Sequence, residues 1–367
     1  MDDLFGASTR SVKAVSSQAV PGQPVATSPV SASNYHLAPG ASEGLDFYGR
    51  ASNPTWREAE SALAQLEGAA SALVFGSGMA AVTAALRVLA KPGGILVVPA
   101  DGYYQVRTYA SEYLEPLGVT ILEARCDDMY EAAADADVVL AETPANPGLD
   151  VVDLTRLAAI CRGRGARLVV DNTTATPLGQ QPLTLGADLV VASATKALSG
   201  HSDLLAGYAA GNDLELMAAV MRERLLAGPI LGAFEAWLLV RSLGSAGLRI
   251  ERQCHNAQAL ATMLAGHPAV ASVRYPGLPA DPAHEVAAMQ MHRFGGLVSV
   301  ELADAAAVEA LVQRSELVVS ATSFGGIHTS VDRRARWGDP VAEGFLRISL
   351  GIEDTADVLA DFERALG

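Results

Sequence analysis

Short apolar runs alternate with longer segments of helical periodicity between about residue 56 and residue 192. The apolar runs predict strands at Ser71–Phe75, Ile95–Pro99, Val138–Ala141, Arg167–Val170 and Asp188–Ala192. The segments between them predict helices at Trp56–Leu66, from Gly76 to about Leu89, Tyr104–Leu117 and Leu154–Arg162. Strands that are apolar throughout and separated by helices are typical of sheets covered on both faces. The pattern therefore predicts an α/β fold with a mainly parallel, doubly wound sheet.

The pattern changes in the last third of the chain. Helical periodicity extends over Phe234–Leu243, Leu248–Ala265, Ala305–Arg314 and Thr355–Leu366. Alternating apolar and polar positions near Gly296–Leu302 and Phe345–Leu350 predict strands with one solvated face. We therefore predict a large domain over residues 46–246 and a smaller C-terminal α+β domain over residues 247–367.

Residues 1–45 follow neither pattern. Ser, Pro, Val and Ala dominate the stretch from Ser16 to Ser33, which predicts an extended or partly disordered N-terminal arm. The chain starts with two acidic residues after Met1 and has no continuous apolar core there, unlike a signal peptide. We therefore expect a cytoplasmic location.

Charge and cysteine content narrow the possible partners. The net charge of −15 at pH 7 argues against nucleic acid or an anionic membrane as a partner. The cysteines Cys126, Cys161 and Cys254 are scattered and form no Cys-x-x-Cys pattern. We therefore expect neither a metal site nor a disulfide framework.

Two charged residues stand at the ends of neighbouring predicted strands. Asp171 follows the run Leu168–Val170, and Lys196 follows the next strand, close to Ser193 and Thr195. The pair suits pyridoxal phosphate (PLP), because a lysine amine can hold its aldehyde as a Schiff base and a carboxylate can keep its pyridine nitrogen protonated. The two hydroxyl groups are suitable donors to its phosphate. A surface lysine and a turn-forming aspartate are the alternative, which the position of Lys196 after an apolar strand disfavours.

A glycine-rich turn, Gly76-Ser77-Gly78-Met79, lies between a predicted strand and the helix that follows it. Backbone N–H groups at the start of a helix can bind an anion, and the helix dipole favours one there. Such turns are common, and this one alone favours a purely structural role over anion binding. Together with Ser193, Thr195 and Lys196 it predicts the second half of a phosphate site.

Seven motifs in a fixed order resemble the trans-sulfuration (Cys/Met metabolism) family of PLP enzymes, which includes cystathionine γ-lyase, cystathionine γ-synthase, cystathionine β-lyase and methionine γ-lyase. The resemblance extends from about Tyr48 to the C-terminus and implies PLP fold type I, like that of aspartate aminotransferase. The motifs are Tyr48-Gly49-Arg50-Ala51-Ser52-Asn53-Pro54-Thr55, Gly76-Ser77-Gly78-Met79-Ala80-Ala81, Glu142-Thr143-Pro144-Ala145-Asn146-Pro147, Val170-Asp171-Asn172-Thr173, Ser193-Ala194-Thr195-Lys196, Gly200-His201-Ser202-Asp203 and Arg347-Ile348-Ser349-Leu350-Gly351-Ile352-Glu353-Asp354.

The resemblance implies a role in cofactor binding for several positions. Lys196 matches the Schiff-base lysine and proton shuttle, and Asp171 matches the partner of the pyridinium nitrogen. Tyr48 and Arg50 match a pair that reaches the cofactor phosphate from a neighbouring subunit, which implies an obligate dimer, usually paired into a homotetramer. The other implied cofactor contacts are Gly78, Met79, Tyr103, Thr173, Ser193 and Thr195.

The resemblance also implies residues that act on the substrate. Tyr103 aligns with the tyrosine that stacks on the pyridine ring and protonates the leaving group, with Tyr104 as the competing candidate. Arg347 matches the arginine that binds the α-carboxylate through both arms of its guanidinium group, and Asn146 and Ser323 assist it.

Two positions depart from the family pattern. His328 lies in Gly325-Gly326-Ile327-His328-Thr329, where the family usually has a glutamate, so we expect it to bind the distal group of the substrate. A turn histidine facing water is the alternative. Gln105 or a neighbour replaces the cysteine that methionine γ-lyases carry after the active-site tyrosine, which disfavours that activity.

These residues together predict γ-elimination on a sulfur amino acid. The favoured substrate is cystathionine, with cysteine, 2-oxobutyrate and ammonia as products. Replacement of the acyl group of an O-acylhomoserine by cysteine, the synthase reaction, requires the same residues and stays open. Another trans-sulfuration lyase and a non-catalytic PLP-binding protein are the remaining alternatives.

Overall fold

A seven-stranded sheet forms the centre of the larger part of the protein. The computed structural model describes residues 5–16, 20–22, 24–37, 40 and 44–367. In spatial order the strands are β1, β7, β6, β5, β4, β2 and β3. They are β1 (Ser71–Phe75), β2 (Ile95–Pro99), β3 (Thr120–Ala124), β4 (Val138–Glu142), β5 (Arg167–Asp171), β6 (Leu189–Ala192) and β7 (Gly207–Gly211). Neighbouring strands from β6 to β3 are parallel, and β7 is antiparallel to both of its neighbours. The predicted α/β class with a mainly parallel sheet is confirmed.

Helices cover both faces of this sheet. Val190 and Ala192 of β6 lie in the apolar cluster beneath two helices on one face, whereas Leu189 and Val191 lie in the cluster on the other face. Alternate side chains of a strand point to opposite faces, so a strand covered on both sides is apolar throughout. The helices are α1 (Ala7–Ala14), α2 (Pro54–Glu67), α3 (Gly78–Leu89), α4 (Tyr104–Tyr109), α5 (Met129–Ala133), α6 (Leu154–Arg164), α7 (Leu214–Ala227), α8 (Ala233–Leu243), α9 (Ala246–Leu264), α10 (His284–Gln290), α11 (Ala305–Arg314) and α12 (Thr355–Leu366).

Two strands of the sheet were not predicted, for different reasons. β3 lies at the edge of the sheet and is largely exposed, so it lacks an apolar run. β7 reads Gly-Tyr-Ala-Ala-Gly and contains no β-branched residue. Its first glycine is required by packing, because a Cβ on Gly207 would lie 2.1 Å from the Ser77 carbonyl oxygen. Gly207 therefore lowers the β-propensity of the strand, but it also lets the backbone before α3 approach the sheet.

The N-terminal arm contains a helix where the sequence predicts an extended chain. α1 packs against the start of α9, where the Ser11 hydroxyl accepts a hydrogen bond from the Gly247 N–H at 3.0 Å. A Cβ on Gly247 would lie 2.5 Å from the Ser8 Cα, so only a glycine permits this contact. Positions 1–4, 17–19, 23, 38–39 and 41–43 of the predicted arm lie outside the described residues.

A second, five-stranded sheet forms the C-terminal part of the chain. Its strands are β8 (Ser272–Arg274), β9 (Leu297–Glu301), β10 (Val319–Ser320), β11 (Ser330–Arg333) and β12 (Phe345–Ser349). In spatial order they are β10, β11, β12, β9 and β8, and α9, α11 and α12 pack on them. The boundary predicted near Ala246 coincides with the start of α9, and the division into two domains stays a prediction. Within the described ranges no helix has the length and apolar composition that a membrane span requires.

Candidate active site

The carboxyl ends of β5 and β6 bring the predicted aspartate and lysine together. The two strands are parallel neighbours with Asp171 opposite Val191, so the residues that follow them meet at one edge of the sheet. Thr173 connects the two ends: its N–H donates to Asp171 Oδ1 at 2.9 Å, and its Oγ1 accepts from the Ser193 N–H at 2.8 Å. This arrangement fixes the turn that carries Lys196.

The start of α3 completes this edge. Ser77 caps the helix, because its Oγ accepts a hydrogen bond from the Ala80 N–H at 3.1 Å. A Cβ on Gly78 would lie 2.6 Å from the Ser193 Cβ, so the absence of a side chain brings the first turn of the helix against Ser193. The first N–H groups of α3 and the Ser193 hydroxyl therefore lie side by side, as an anion site requires.

A cavity of about 450 Å³ opens at this edge. The predicted site residues that line it are Gly78, Met79, Tyr103, Asn146, Asp171, Thr173, Ser193, Thr195, Lys196, Ser323 and Arg347. The lining residues that were not predicted are Ser77, Val82, Glu142, Thr174, Leu205, Thr322, Phe324, Arg334 and Trp337. Most of the predicted site residues are thus close together. Among the residues that were not predicted, Leu205, Thr322 and Phe324 lie in loops with no local sequence signal.

Lys196 lies between the two sheets. Its Nζ donates to the Ser323 Oγ at 2.7 Å and stands 5.1 Å from the centre of the Phe324 ring. Burial, and to a lesser degree the positive charge of Arg347, lower the pKa of the amine to about 8, and the negative charge of Asp171 opposes this shift. A substantial fraction of the amine is therefore unprotonated at mildly alkaline pH, as nucleophilic and basic chemistry requires.

Arg347 projects from β12 into the same cavity. Its two terminal nitrogens donate to Asn146 Oδ1 at 2.7 Å and to the Ser323 carbonyl oxygen at 2.6 Å. Its Nε is buried and has no hydrogen-bond partner among the described residues. Burial lowers the pKa of the guanidinium to about 10, so it remains a cation at neutral pH. A buried cation with one unpaired donor is suited to bind a carboxylate that enters the cavity.

Glu142 is the acidic residue that the sequence analysis missed. It ends β4 directly opposite Asp171 of β5, and its carboxylate oxygens accept from the N–H groups of Tyr103 and Asn146 at 2.7 and 2.8 Å. Burial, followed by the charge of Asp171, raises the pKa of Glu142 to about 8. Glu142 therefore orients a tyrosine and an asparagine of the cavity. A polar residue directly after an apolar strand was the signal that could have identified it, as it did for Asp171.

Both candidate tyrosines line the cavity, with their ring centres 5.4 Å apart. Burial, and to a lesser degree Tyr104, raises the pKa of the Tyr103 phenol. A phenol that keeps its proton can donate it. The role of Tyr103 as proton donor stays a prediction.

Three predicted site residues lie outside this cavity. Tyr48 and Arg50 are paired with each other, with the guanidinium carbon 5.2 Å from the ring centre, and Arg50 also donates to the Leu225 carbonyl oxygen at 2.9 Å. Both residues border the solvent. His328 is exposed and does not line the cavity.

The residues of the cavity fit PLP. Asp171 is a buried carboxylate whose pKa is raised by burial, so a cationic pyridinium would be its natural partner. The Gly78 N–H, the Met79 N–H and the Ser193 hydroxyl would hold its phosphate. The Thr195 hydroxyl donates to the Ala206 carbonyl oxygen at 3.1 Å and accepts from the Ala206 N–H at 2.9 Å, and its contact with the phosphate stays a prediction. Thr195 therefore closes the turn at the cavity wall.

Comparisons with known proteins agree with this geometry. The chain matches the family described as Cys/Met metabolism PLP-dependent enzyme over residues 8–367. It is 45% identical to a putative cystathionine γ-lyase of Streptomyces coelicolor, over 98% of this chain and 93% of that protein. It is 39% identical to a cystathionine γ-synthase of Mycobacterium bovis, over 87% of this chain and 86% of that protein. The crystal structure of metB from Corynebacterium glutamicum matches with a TM-score of 0.94 and 35% identity, covering 100% of this chain and 99% of that one.

These matches confirm the predicted family resemblance, the PLP cofactor and fold type I. The relatives bear the names of both a lyase and a synthase, so they support the enzyme class without separating the two reactions. The chain belongs to the Cys/Met metabolism family of PLP-dependent enzymes, which act on carbon–sulfur bonds.

Proposed function

We propose that the protein is a cystathionine γ-lyase, which converts cystathionine and water to cysteine, 2-oxobutyrate and ammonia. The observation that carries the proposal is the placement of Lys196, Tyr103 and Arg347 around one cavity. The higher sequence identity to a protein named as a lyase favours elimination over replacement.

Each of these residues has a distinct task in the proposed reaction. Arg347 binds the α-carboxylate, which places the substrate Cα beside the Lys196 amine. When bound, PLP supplies an electron sink for the negative charge that develops at Cα. Lys196 Nζ removes the Cα proton, a task favoured by its lowered pKa of about 8. Removal of a proton from Cβ then supplies the electron pair that breaks the bond between Cγ and the sulfur. The Tyr103 phenol donates its proton to the departing sulfur, because its raised pKa keeps it protonated.

Product analysis tests this proposal against the synthase alternative. The PLP-loaded protein is incubated with cystathionine alone, and in parallel with cysteine plus an O-acylhomoserine. A lyase releases 2-oxobutyrate and ammonia in the first reaction at a higher kcat/KM than it forms cystathionine in the second. Faster formation of cystathionine in the second reaction would contradict the proposal and indicate a cystathionine γ-synthase. No product in either reaction would favour a non-catalytic PLP-binding protein.

We also propose that Tyr48 and Arg50 act in the site of a neighbouring subunit of a homo-oligomer. Neither residue lines the cavity of its own chain and both are exposed, which supports this arrangement. Arg50→Ala protein mixed with Lys196→Ala protein should regain part of the activity, because a mixed dimer has one site with both residues intact. A failure to recover after verified subunit exchange would count against a shared site. The cytoplasmic location stays a prediction.

A further inference from the structure

A second arginine lines the cavity, in addition to Arg347. Arg334 starts a short 3₁₀ helix, Arg334–Trp337, directly after β11. Its side chain is only 9% exposed. A buried arginine is costly unless its charge is compensated, so its position at the cavity wall requires an explanation.

Two aspartates hold the Arg334 guanidinium in a fixed orientation. Its Nε donates to Asp339 Oδ2 and its Nη1 donates to Asp332 Oδ2, both at 2.7 Å. Its second terminal nitrogen, Nη2, has no hydrogen-bond partner among the described residues. The guanidinium therefore offers one oriented donor while its other nitrogens are occupied.

The cluster around Arg334 keeps a net positive charge. Asp332 also pairs with Arg336 at 2.8 Å and with Arg347 at 3.4 Å, so three arginines surround Asp332 and Asp339. One positive charge remains in this group of five. At the cavity wall the group therefore attracts an anion.

Arg334 shares the cavity with the two residues assigned to the substrate. It lines the same cavity as Tyr103 and Arg347, and both Arg334 and Arg347 contact Asp332 Oδ2. If Arg347 holds the α-carboxylate and Tyr103 faces the departing sulfur, the substrate beyond that sulfur extends toward Arg334. The distal half of cystathionine carries a carboxylate at its end.

We propose that Arg334 is a specificity-determining residue that binds the distal carboxylate of an amino-acid substrate, while Arg347 binds its α-carboxylate. This proposal rests on the proposed function, because the roles assigned there to Arg347 and Tyr103 set the direction in which the substrate extends. It predicts that the site prefers amino acids with a second carboxylate over amino acids of the same length with an apolar end.

A pair of amino acids that lack a sulfur leaving group tests the preference without turnover. L-2-Aminoadipate and L-norleucine have six-carbon chains and differ in a distal carboxylate. Their dissociation constants are measured by calorimetry on the PLP-loaded protein. We expect tighter binding of L-2-aminoadipate to the wild type. Because a charge-assisted hydrogen bond is lost, Arg334→Gln should reduce this preference by roughly 10- to 100-fold, with little change for L-norleucine.

Two further variants separate recognition from stability. Arg334→Gln leaves Asp339 without its partner, so the double variant Arg334→Gln/Asp339→Asn removes both charges and should show the same loss of preference with better stability. Arg336→Gln is the matched control, because Arg336 pairs with the same Asp332 and does not line the cavity. It removes a charge from the cluster but no donor from the cavity, so it should reduce the ratio of the two dissociation constants far less than Arg334→Gln does.

The proposal is judged by the ratio of the dissociation constants of L-2-aminoadipate and L-norleucine, measured for each protein. An unchanged ratio in the double variant, or an equal loss of affinity for both amino acids, would overturn the proposal. A wild type that does not prefer L-2-aminoadipate would overturn it as well. Since the test involves no turnover, a failed product analysis would refute the lyase function without changing this result.

Discussion

The two walls of the cavity are built by different kinds of structure. The wall assigned to the cofactor consists of strand ends and one helix start in the seven-stranded sheet, and carries Gly78, Asp171, Ser193 and Lys196. The wall assigned to the substrate is contributed largely by residues 322–337 and by β12 of the second sheet. Regular elements hold the group that family members share, whereas a loop faces the substrate. The comparison indicates that specificity can change on one wall without altering the other.

This difference also explains how much of the site could be predicted. The ends of apolar strands are visible in the sequence, so Asp171 and Lys196 could be placed at one edge of the sheet before the structure was known. Arg334 and Trp337 lie in a single turn of 3₁₀ helix without periodicity, and nothing local indicates that they face the cavity. His328 shows the converse case: its position in a family motif suggested a substrate contact, whereas it is exposed and does not line the cavity of its own chain, so that contact stays a prediction.

The fold could be predicted where a strand carries a run of apolar residues with high β-propensity. β1 and β2 have the predicted bounds because they are covered on both faces. The edge strand β3 and the glycine-rich β7 were missed, because pairing with a neighbour rather than side-chain pattern defines them. α1 was missed because its short sequence is polar and its contact with α9 is made through Gly247.

The largest effect is expected at the cofactor wall. Lys196→Ala should abolish the visible absorption of the bound cofactor, because the amine that bonds it is lost. It should also reduce kcat by roughly 10²- to 10⁴-fold, because the same amine moves the Cα proton. Absorption spectra and steady-state kinetics measure both. Lys91→Ala is the matched control and should change neither. A Lys196→Ala protein with full absorption and activity would contradict the assignment.

A smaller and different effect is expected at the substrate wall. Arg347→Lys keeps the positive charge but cannot reach both Asn146 and the Ser323 carbonyl oxygen, so it should reduce kcat/KM by roughly 10- to 100-fold through binding of the α-carboxylate. The visible absorption of the cofactor should persist, in contrast to Lys196→Ala. Loss of that absorption in Arg347→Lys would mean that the two walls are not independent.

The electrostatic link between the walls gives a pH prediction. Because the charge of Arg347 contributes to lowering the pKa of Lys196, Arg347→Met should raise that pKa above about 8. NMR titration of the cofactor-free protein with ¹³C-labelled lysine measures it, and the signals of Lys13 and Lys91 serve as internal references. A midpoint that stays the same or falls would show that burial alone lowers the pKa.

The smallest effect is expected for His328→Glu. Since His328 is exposed and outside the cavity of its own chain, the ratio of kcat/KM for cystathionine and homocysteine should change less than about twofold, as for most surface substitutions. Arg334→Gln, tested on the same two substrates, should change this ratio strongly. A large change with His328→Glu would restore the interpretation based on the family motif.

The most direct test of the central claim is to locate the lysine that bonds the cofactor. The sequence contains only three lysines, Lys13, Lys91 and Lys196. The PLP-loaded protein is reduced with borohydride, digested and analysed by mass spectrometry. We expect a pyridoxyl group on Lys196 alone, at close to one per chain. A pyridoxyl group on Lys13 or Lys91 instead, or no modified peptide at all, would contradict the placement of the active site at the ends of β5 and β6.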